Sequence, residues 1–465
     1  MTYLIIIIAI IIIAMFLPKI DKRSEHSYNA QFGNAWRHVS HFNHGFSVTG
    51  SKALTKKVSY TNCALFGPTG SGKSTSVIFS SAASLAKGNS SMIFLDVSGE
   101  ISAHTAPYLA DREYTILHIN FAEPEFSESF NCLSFCKNVS DIQKVTTLII
   151  KNANGESKGD IFWEQSSIML ISLFARYLVF HAEPQYCNLQ NVLRLIEKFA
   201  ADTTQAIDKM FLQTKDEDLI SAYKATLAMP DKTLQSCISS VRASMLLFTD
   251  PSVCKTTATN TIDLDLLRQK PVALYLCTPL KDLQYFKPLS ALFFQTLFNF
   301  VLSRIPGKNE RSIFFLIDEF ATMRFSAIST VVSNIRKFQS GLLLCMQDQN
   351  ALLQYGQAEA HQIKTNCGCQ VYLKGQPLDT CKELSQILGK YTYTDDKGIE
   401  RSRELLTADE IRMTDDAIIL INNQPPLKCK VVPYFNNIWL SKALQARPFV
   451  FPQKNTIEPP LIPFK

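Results

Sequence analysis

The sequence predicts an α/β protein built on a mostly parallel central sheet, with an all-α domain inserted into it and one N-terminal transmembrane helix in front. Three observations predict this. Short apolar strands alternate with helices from Asn62 onward, the strand signals stop between Asp141 and about Asp250, and every residue from Leu4 to Leu17 is apolar. Alternation of that kind reads as a parallel sheet, because each parallel crossover needs a helix to return the chain.

The apolar run has no polar face at any helical period, so it is not an amphipathic surface helix and calls for hydrocarbon on all sides. Its fourteen residues make a helix of roughly 21 Å against a bilayer core of ~30 Å. Thr2, Tyr3 and Pro18 extend it, and Lys19, Lys22 and Arg23 can snorkel. A cleaved signal would want positive charge before the run and small residues at a cleavage site, and neither is present. Residues 1–23 are therefore expected as a membrane anchor, with a signal segment or a buried core helix as alternatives. Because the basic residues follow the run, the positive-inside rule places the bulk of the chain in the cytoplasm.

Residues 24–57 are polar and basic and read as a juxtamembrane linker. His38, His41 and His44 fall three apart within it, and read as solvated or headgroup-facing side chains rather than a metal site. The strands then begin with "CALF", "MIFL" and "YTILHI". Between 141 and 250, "FWEQSSIMLISLFARYLVF", "NLQNVLRLIEKFAA" and "LQSCISSVRASMLLF" carry 3.6-period apolar faces and form the inserted all-α domain. "VALYLC", "SIFFLID", "GLLLCM" and "AIILI" finish the sheet, so the α/β domain comprises residues 58–140 and 251–446. The tail, 447–465, is proline-rich and expected to be extended, as a surface cap or a docking segment.

Length and composition agree with this division. A chain of 465 residues suits two or three domains. A net charge of +6 permits an acidic partner such as nucleic acid without demanding one. Twelve cysteines are scattered from Cys63 to Cys429, and the closest pairs, Cys132/Cys136 and Cys367/Cys369, lack a second pair at metal-ligand spacing. They read as reduced cytoplasmic thiols. The sequence carries no helix-turn-helix, zinc finger or aromatic platform, so sequence-specific DNA recognition is not supported.

The chemistry lies in four places. Gly67, Pro68, Thr69, Gly70, Ser71, Gly72, Lys73 and Ser74 fit G-x-x-x-x-G-K-[ST], directly after a strand and before a helical run opening at Thr75. The glycines let backbone N–H groups turn onto phosphate oxygens, and the helix N-terminus adds positive potential. Lys73 is placed for the β- and γ-phosphates of ATP and Ser74 for Mg²⁺. "SIFFLIDEF" ends in Asp318, expected to hold the Mg²⁺ water shell, and Glu319, expected to orient or deprotonate the attacking water. That pairing favours hydrolysis over transfer to a small acceptor. Gln347 ends the next apolar strand, where a polar residue can sense the γ-phosphate, and Arg336 precedes that strand, placed to reach a neighbouring subunit's nucleotide as an arginine finger. "MIFLD" ends in Asp96, which with Glu100 makes a secondary acidic motif.

With these residues in place, the chain resembles the type IV secretion coupling proteins of bacterial conjugation, the TraG/TraD-like group within the FtsK/HerA-like motor class. The similarity runs from about Gln31 to Phe435. It rests on "AQFGNAW", "FLDVSGE", "FLIDEF", "MQDQNALLQYG" with "NCGCQVYL", "RELLTADEI" and "PPLKCKVVPYF". Val97 and Ser98 stand where the family usually has Pro and Lys. The resemblance implies a RecA-like P-loop NTPase domain with ATP and Mg²⁺ bound between the subunits of a homo-hexamer, Arg336 acting in trans, and a cytoplasm-facing all-α domain that receives the DNA-processing complex. It implies a single-pass protein of the bacterial inner membrane, a coupling protein that uses ATP hydrolysis to recruit and translocate a DNA–protein substrate. Its partners would be DNA, a relaxase or relaxosome, and type IV secretion channel proteins. A general FtsK/HerA-like DNA motor and a nucleotide-dependent receptor scaffold are the alternatives.

Overall fold

A computed structural model describes residues 29–154, 161–201, 205–454 and 458–464. The isoleucine-rich run and its expected membrane span lie outside the described residues, and among those described no helix is long and apolar enough to cross a membrane.

Among the described residues eleven strands form, in chain order, β1 (Cys63–Phe66), β2 (Ser91–Asp96), β3 (Thr115–Ile119), β4 (Val272–Cys277), β5 (Ile313–Ile317) and β6 (Ser340–Met346). They continue with β7 (Cys369–Tyr372), β8 (Lys390–Thr394), β9 (Glu400–Glu404), β10 (Ala417–Ile421) and β11 (Leu427–Cys429). Nine of them make one sheet in the order β11-β10-β7-β1-β6-β5-β2-β4-β3, and β8 and β9 pair separately as a hairpin. From β7 to β3 all neighbours are parallel. At the other edge β10 runs antiparallel to β7, and β11 antiparallel to β10. Each strand expected from the sequence is present. The expected closing strand "PPLKCKVVPYF" is ordered as strand only over its Leu427–Cys429 portion.

The central strands are buried along their whole length instead of alternating, because helices cover both faces. Successive residues then feed two apolar layers. Ile93, Leu95, Phe315 and Ile317 join one, and Met92, Phe94, Phe314 and Leu316 the other. The second layer is closed by helices α1 (Phe79–Lys87) and α2 (Glu100–Ala110). It also takes in Val39, Phe46, Val48 and Leu54, all buried, so the segment expected as a linker is integral to the α/β domain from Val39 on. His38, His41 and His44 lie near the surface of this segment, and no metal-binding cluster of His, Cys, Asp and Glu exists among the described residues.

The first layer runs into the helical insertion: α3 (Val139–Asn154), α4 (Ile161–His181), α5 (Leu189–Ala201), α6 (Gln205–Gln213), α7 (Glu217–Leu227) and α8 (Asp231–Ser244). An aromatic nucleus holds it, with Phe211 stacked on Tyr223 at 4.3 Å and edge-on to Phe174 at 5.6 Å. Ile142, Phe174, Leu195 and Val241 belong to the same contiguous cluster as Ile317, joined through the long helix α9 (Leu283–Ser303). All twelve cysteines are free thiols, as expected.

At the amino-terminal edge of the sheet, buried Arg268 donates to the carbonyls of Arg311 and Phe338, at 2.8 Å each, and so ties the starts of β5 and β6 together. Gly341 in β6 is required by a close approach, since a Cβ there would stand 2.2 Å from the Ser59 carbonyl oxygen. Gly341→Ala is expected to cost roughly 1–3 kcal/mol of stability by overpacking; a calorimetric melt unchanged from wild type would show that the segment around Ser59 yields freely.

Candidate nucleotide-binding site

The site forms at the carboxyl ends of β1, β6 and β5. Gly67 leaves β1 with its N–H on the Met346 carbonyl at 3.0 Å, at the level where β6 gives way to Gln347. The chain then turns through Gly70 (φ +80°) and Gly72 (φ +95°), left-handed conformations that strain any other residue. A Cβ on Gly67 would stand 2.4 Å from Ser71 Oγ, itself buried without a hydrogen-bond partner. The helix that follows opens as a π-wound turn, Lys73–Ile78, before α1, a wide winding common at functional sites. Lys73 Nζ folds back onto the carbonyls of Gly67 (2.7 Å) and Pro68 (3.4 Å), within the cradle it closes.

The predicted metal pair is brought together. Ser74 Oγ donates to Asp318 Oδ1 at 3.3 Å, although β1 and β5 are not neighbours and β6 runs between them. Gln347 follows that intervening strand, and its side chain stands near enough to the Glu319 carboxylate to favour its ionised form. Burial, followed by the charges of Asp96 and Glu319, pushes the Asp318 carboxyl up to about 7, against the opposing pull of Lys73 and the Ser74 hydroxyl. Burial also raises Glu319, with Lys73 and Gln347 opposing. Asp318 thus feels two other carboxylates, and one lysine opposes the charge of Asp318 and Glu319 together. This donor set, a hydroxyl and a carboxylate at 3.3 Å in a site with surplus negative charge, fits a hard divalent cation such as Mg²⁺, and the amide-lined turn beside it fits phosphate oxygens.

Asp96 is not an open site acid. It is fully buried at the tip of β2 and accepts from the amides of Ser102 (2.7 Å) and Ile101 (3.3 Å), capping the first turn of α2, while Glu100 is exposed. Asp96 acts on the site through its charge on Asp318. Arg336 stays away from the site of its own chain. It lies exposed in the turn before β6, so the seven residues of that strand, roughly 20 Å, separate it from the edge where Gln347 sits.

Several supports escape sequence reasoning. Buried Gln376 donates to the carbonyls of Phe66 (3.0 Å) and Leu373 (2.7 Å), pinning the end of β1 to the loop after β7. Lys364 reaches both Glu383 (2.7 Å) and Gln349 (2.6 Å), and Gln349 closes the triangle onto Glu383 at 2.7 Å, which fixes the chain just beyond Gln347. Apart from Leu373, three positions from Gln376, their partners lie 15 to 310 positions away, so no local pattern announces them.

This fold and site define a P-loop NTPase with an inserted all-α domain. Residues 24–457 match the family described as Type IV secretory system Conjugative DNA transfer, and the chain belongs to that family. Among curated proteins it is similar to Protein VirD4 of Rhizobium rhizogenes, at 29% identity over 226 residues, 44% of this chain and 34% of that protein. Protein VirD4 of Rhizobium radiobacter is 28% identical over 261 residues, 51% of this chain and 38% of the relative. The matched stretch therefore spans little more than a third of the length of these relatives.

Among solved structures the bacterial conjugative coupling protein TrwBdeltaN70, in complex with sulphate, superposes with a TM-score of 0.69 at 15% identity, covering 88% of this chain and 96% of that one. TrwB with the non-hydrolysable GTP analogue GDPNP gives 0.68 at 15%, covering 89% and 97%. TrwB with ADP and Mg²⁺ gives 0.64 at 15%, covering 83% and 88%. At such identities the likeness is one of fold.

The raised carboxyl of Asp318 sets a pH dependence. Its proton affinity is higher folded, about 7, than the ordinary 3.8, so the stability that proton supplies is complete below 3.8 and lost as pH rises through 7. In metal-free buffer Asp318→Asn should therefore be more stable than wild type at pH 8, by roughly 1–3 kcal/mol once partial exposure is allowed for, and the gap should close toward pH 4. Added Mg²⁺ should narrow it at pH 8. Parallel melting curves of the two proteins across this range check both points.

Proposed function

We propose that this protein is a membrane-anchored ATPase that couples ATP hydrolysis to the recruitment and translocation of a DNA–protein substrate to a type IV secretion channel in bacterial conjugation. One observation carries the reading: Ser74 and Asp318 meet at 3.3 Å beside Lys73, with Glu319 and Gln347 near each other at the adjacent strand tips, in a chain of the conjugative DNA transfer family.

In this reading the amides from Gly67 to Thr75 and the Lys73 ammonium hold the β- and γ-phosphates, with Pro68 and Thr69 shaping the turn. Ser74 and Asp318 would hold Mg²⁺, which would supply positive charge to the phosphates. Glu319, its basicity raised by burial, takes the proton of the attacking water. Gln347, beside Glu319, responds to the presence or loss of the γ-phosphate. Arg336 is exposed and outside its own site, the disposition required of a finger that completes a neighbour's site in a homo-hexamer.

The handling of DNA is supported by a groove of ≈1500 Å³ between α3, α9 and the loops that follow Glu319 and Gln347. Lys144, Lys151, Lys287 and Arg324 outnumber Glu164 and Glu359 along it, a balance that suits a phosphate backbone without selecting sequence. The isoleucine-rich run and the basic residues after it support a single-pass place in the inner membrane, where a relaxase-bound DNA and the channel proteins would be its partners.

Phosphate release by the purified chain, with and without DNA, tests the assignment. Lys73→Ala is expected to lose at least ~10²-fold in turnover, Glu319→Gln a similar factor while still binding nucleotide, and Arg336→Ala to lose turnover in the assembled state with nucleotide binding by isolated subunits intact. Wild-type turnover by Lys73→Ala would overturn the site.

A further inference from the structure

The last residues bridge the two parts of the molecule. Arg447 pairs with Asp111 at 2.6 Å, Phe451 stacks on His118 at 3.8 Å, Lys454 meets buried Glu128 at 2.6 Å, and Glu458 meets Lys255 at 2.7 Å. Up to this point the tail caps the α/β domain. From Pro460 to Phe464 it lies instead on α5 of the helical insertion, in a manner that is built rather than incidental.

Asn191 is fully buried and reads the main chain of the tail from both sides. Its Nδ2 donates to the Pro460 carbonyl (3.0 Å) as well as to its own neighbour Tyr186 (3.0 Å), and its Oδ1 accepts the Ile462 N–H at 3.0 Å. One turn on, Arg194 Nε donates to the Ile462 carbonyl at 3.3 Å. Arg194 also stands over the Phe464 ring at 5.0 Å, with Lys198 at 5.6 Å. Positions 191, 194 and 198 are spaced three and four apart, so one stripe of α5 makes every contact. Ile462 buries its side chain in the core cluster that the helical insertion shares with the sheet, Phe464 packs half-buried against the same cluster, and Pro459 is buried just before them.

Recognition of this kind selects an extended backbone with one aliphatic anchor and an aromatic two residues later. Pro459, Pro460 and Pro463 pre-organise such a segment and lower the entropy lost on docking. The hold is modest, since the buried Pro459 and Ile462, the half-buried Phe464 and three main-chain hydrogen bonds must offset the ordering of the whole segment, and the Glu458–Lys255 pair, open to solvent at Glu458, adds little. A modest hold of defined chemistry is exchangeable.

We infer that the stripe of α5 bearing Asn191 and Arg194 is a binding site for an extended, proline-rich peptide segment of another protein, and that the chain's own Pro460–Phe464 occupies it as an intramolecular competitor. The inference is independent of the nucleotide site.

The probe is a fluorescent peptide of residues 458–464, EPPLIPF, followed by anisotropy. The full chain carrying Ile462→Asp, which cannot seat its own tail, should bind the peptide at least tenfold more tightly than wild type, and adding Asn191→Ala should remove that binding. No binding to the Ile462→Asp chain, or equal binding to wild type, overturns the proposal. Should that variant fail to fold, a wild-type chain with a protease site placed at 455–457 is cut after folding. Exchange of the freed tail for labelled peptide is expected, and its retention for hours overturns the proposal. Dimers of the Ile462→Asp chain mixed with wild type, dissociated by the free peptide, would place a second copy of this chain in the groove and likewise overturn a foreign segment.

Discussion

The placing of β6 between β1 and β5 is the constraint on which the rest depends. Parallel strands lie ~4.8 Å apart, so one intervening strand sets the phosphate turn and the acidic pair about 10 Å from each other, with Gln347 in the gap. The register completes the geometry. Phe66 pairs with Met346 and Ile317 with Leu344, which brings Gly67, Gln347 and Asp318 to the same edge of the sheet. A slip of one residue in either pairing would turn Asp318 to the other face and lose Ser74. Arg268 at the far edge, binding carbonyls on both sides of the β5–β6 junction, opposes such a slip.

The site is built against local stability. Asp96 and Glu319 both act on Asp318 by their charge, and burial works against the ionisation of all three. Asp96 offsets this by binding amides of α2, and Glu319 by the nearby Lys73 and Gln347. Asp318 has only a long bond from Ser74. The carboxylate left least satisfied is the one that the metal reading requires to take a cation, which is where conflict between fold and function is expected to concentrate. Lys73 meanwhile rests on carbonyls of its own loop, poised to exchange them for phosphate oxygens.

What the sequence shows of this follows from the range over which each signal acts. Strands buried on both faces write themselves as unbroken apolar runs, so β2, β4, β5 and β6 are legible, as is the Gly67–Ser74 turn, whose glycines are dictated by its own backbone. Val39, Phe46, Val48 and Leu54 are core residues that follow neither helical nor strand spacing in a polar stretch, so the segment reads as linker though it is domain. Asp96 reads as a site acid because the amides of Ile101 and Ser102 become its partners only once α2 forms. Gln376 and the Lys364–Glu383–Gln349 triangle act across the fold and leave no local trace. The place of Arg336 depends on strand direction: a residue before a parallel strand falls on the edge opposite the residue after it.

The helical insertion is joined to the site by packing rather than by a hinge alone. One apolar cluster runs from Ile317, next to Asp318, through Phe294 and Phe298 of α9 to Phe174 and Phe211. Phe320 and Phe325, flanking the turn after Glu319, stack at 5.6 Å, and Tyr355, beyond Gln347, stacks on Phe320 at the same distance. The Phe325 amide N–H also donates to the Tyr355 hydroxyl oxygen at 3.0 Å. The segments leaving Glu319 and Gln347 are thus locked to each other, and both line the groove faced by α3 and α9. Close-packed interiors rearrange between discrete states more readily than they deform continuously. In a motor of the proposed kind, a change around Glu319 and Gln347 would therefore reach the groove as a shift of this aromatic unit. The tail on α5 would add a second tie across the same junction, so its release would loosen one of the two connections that the aromatic shift must work against.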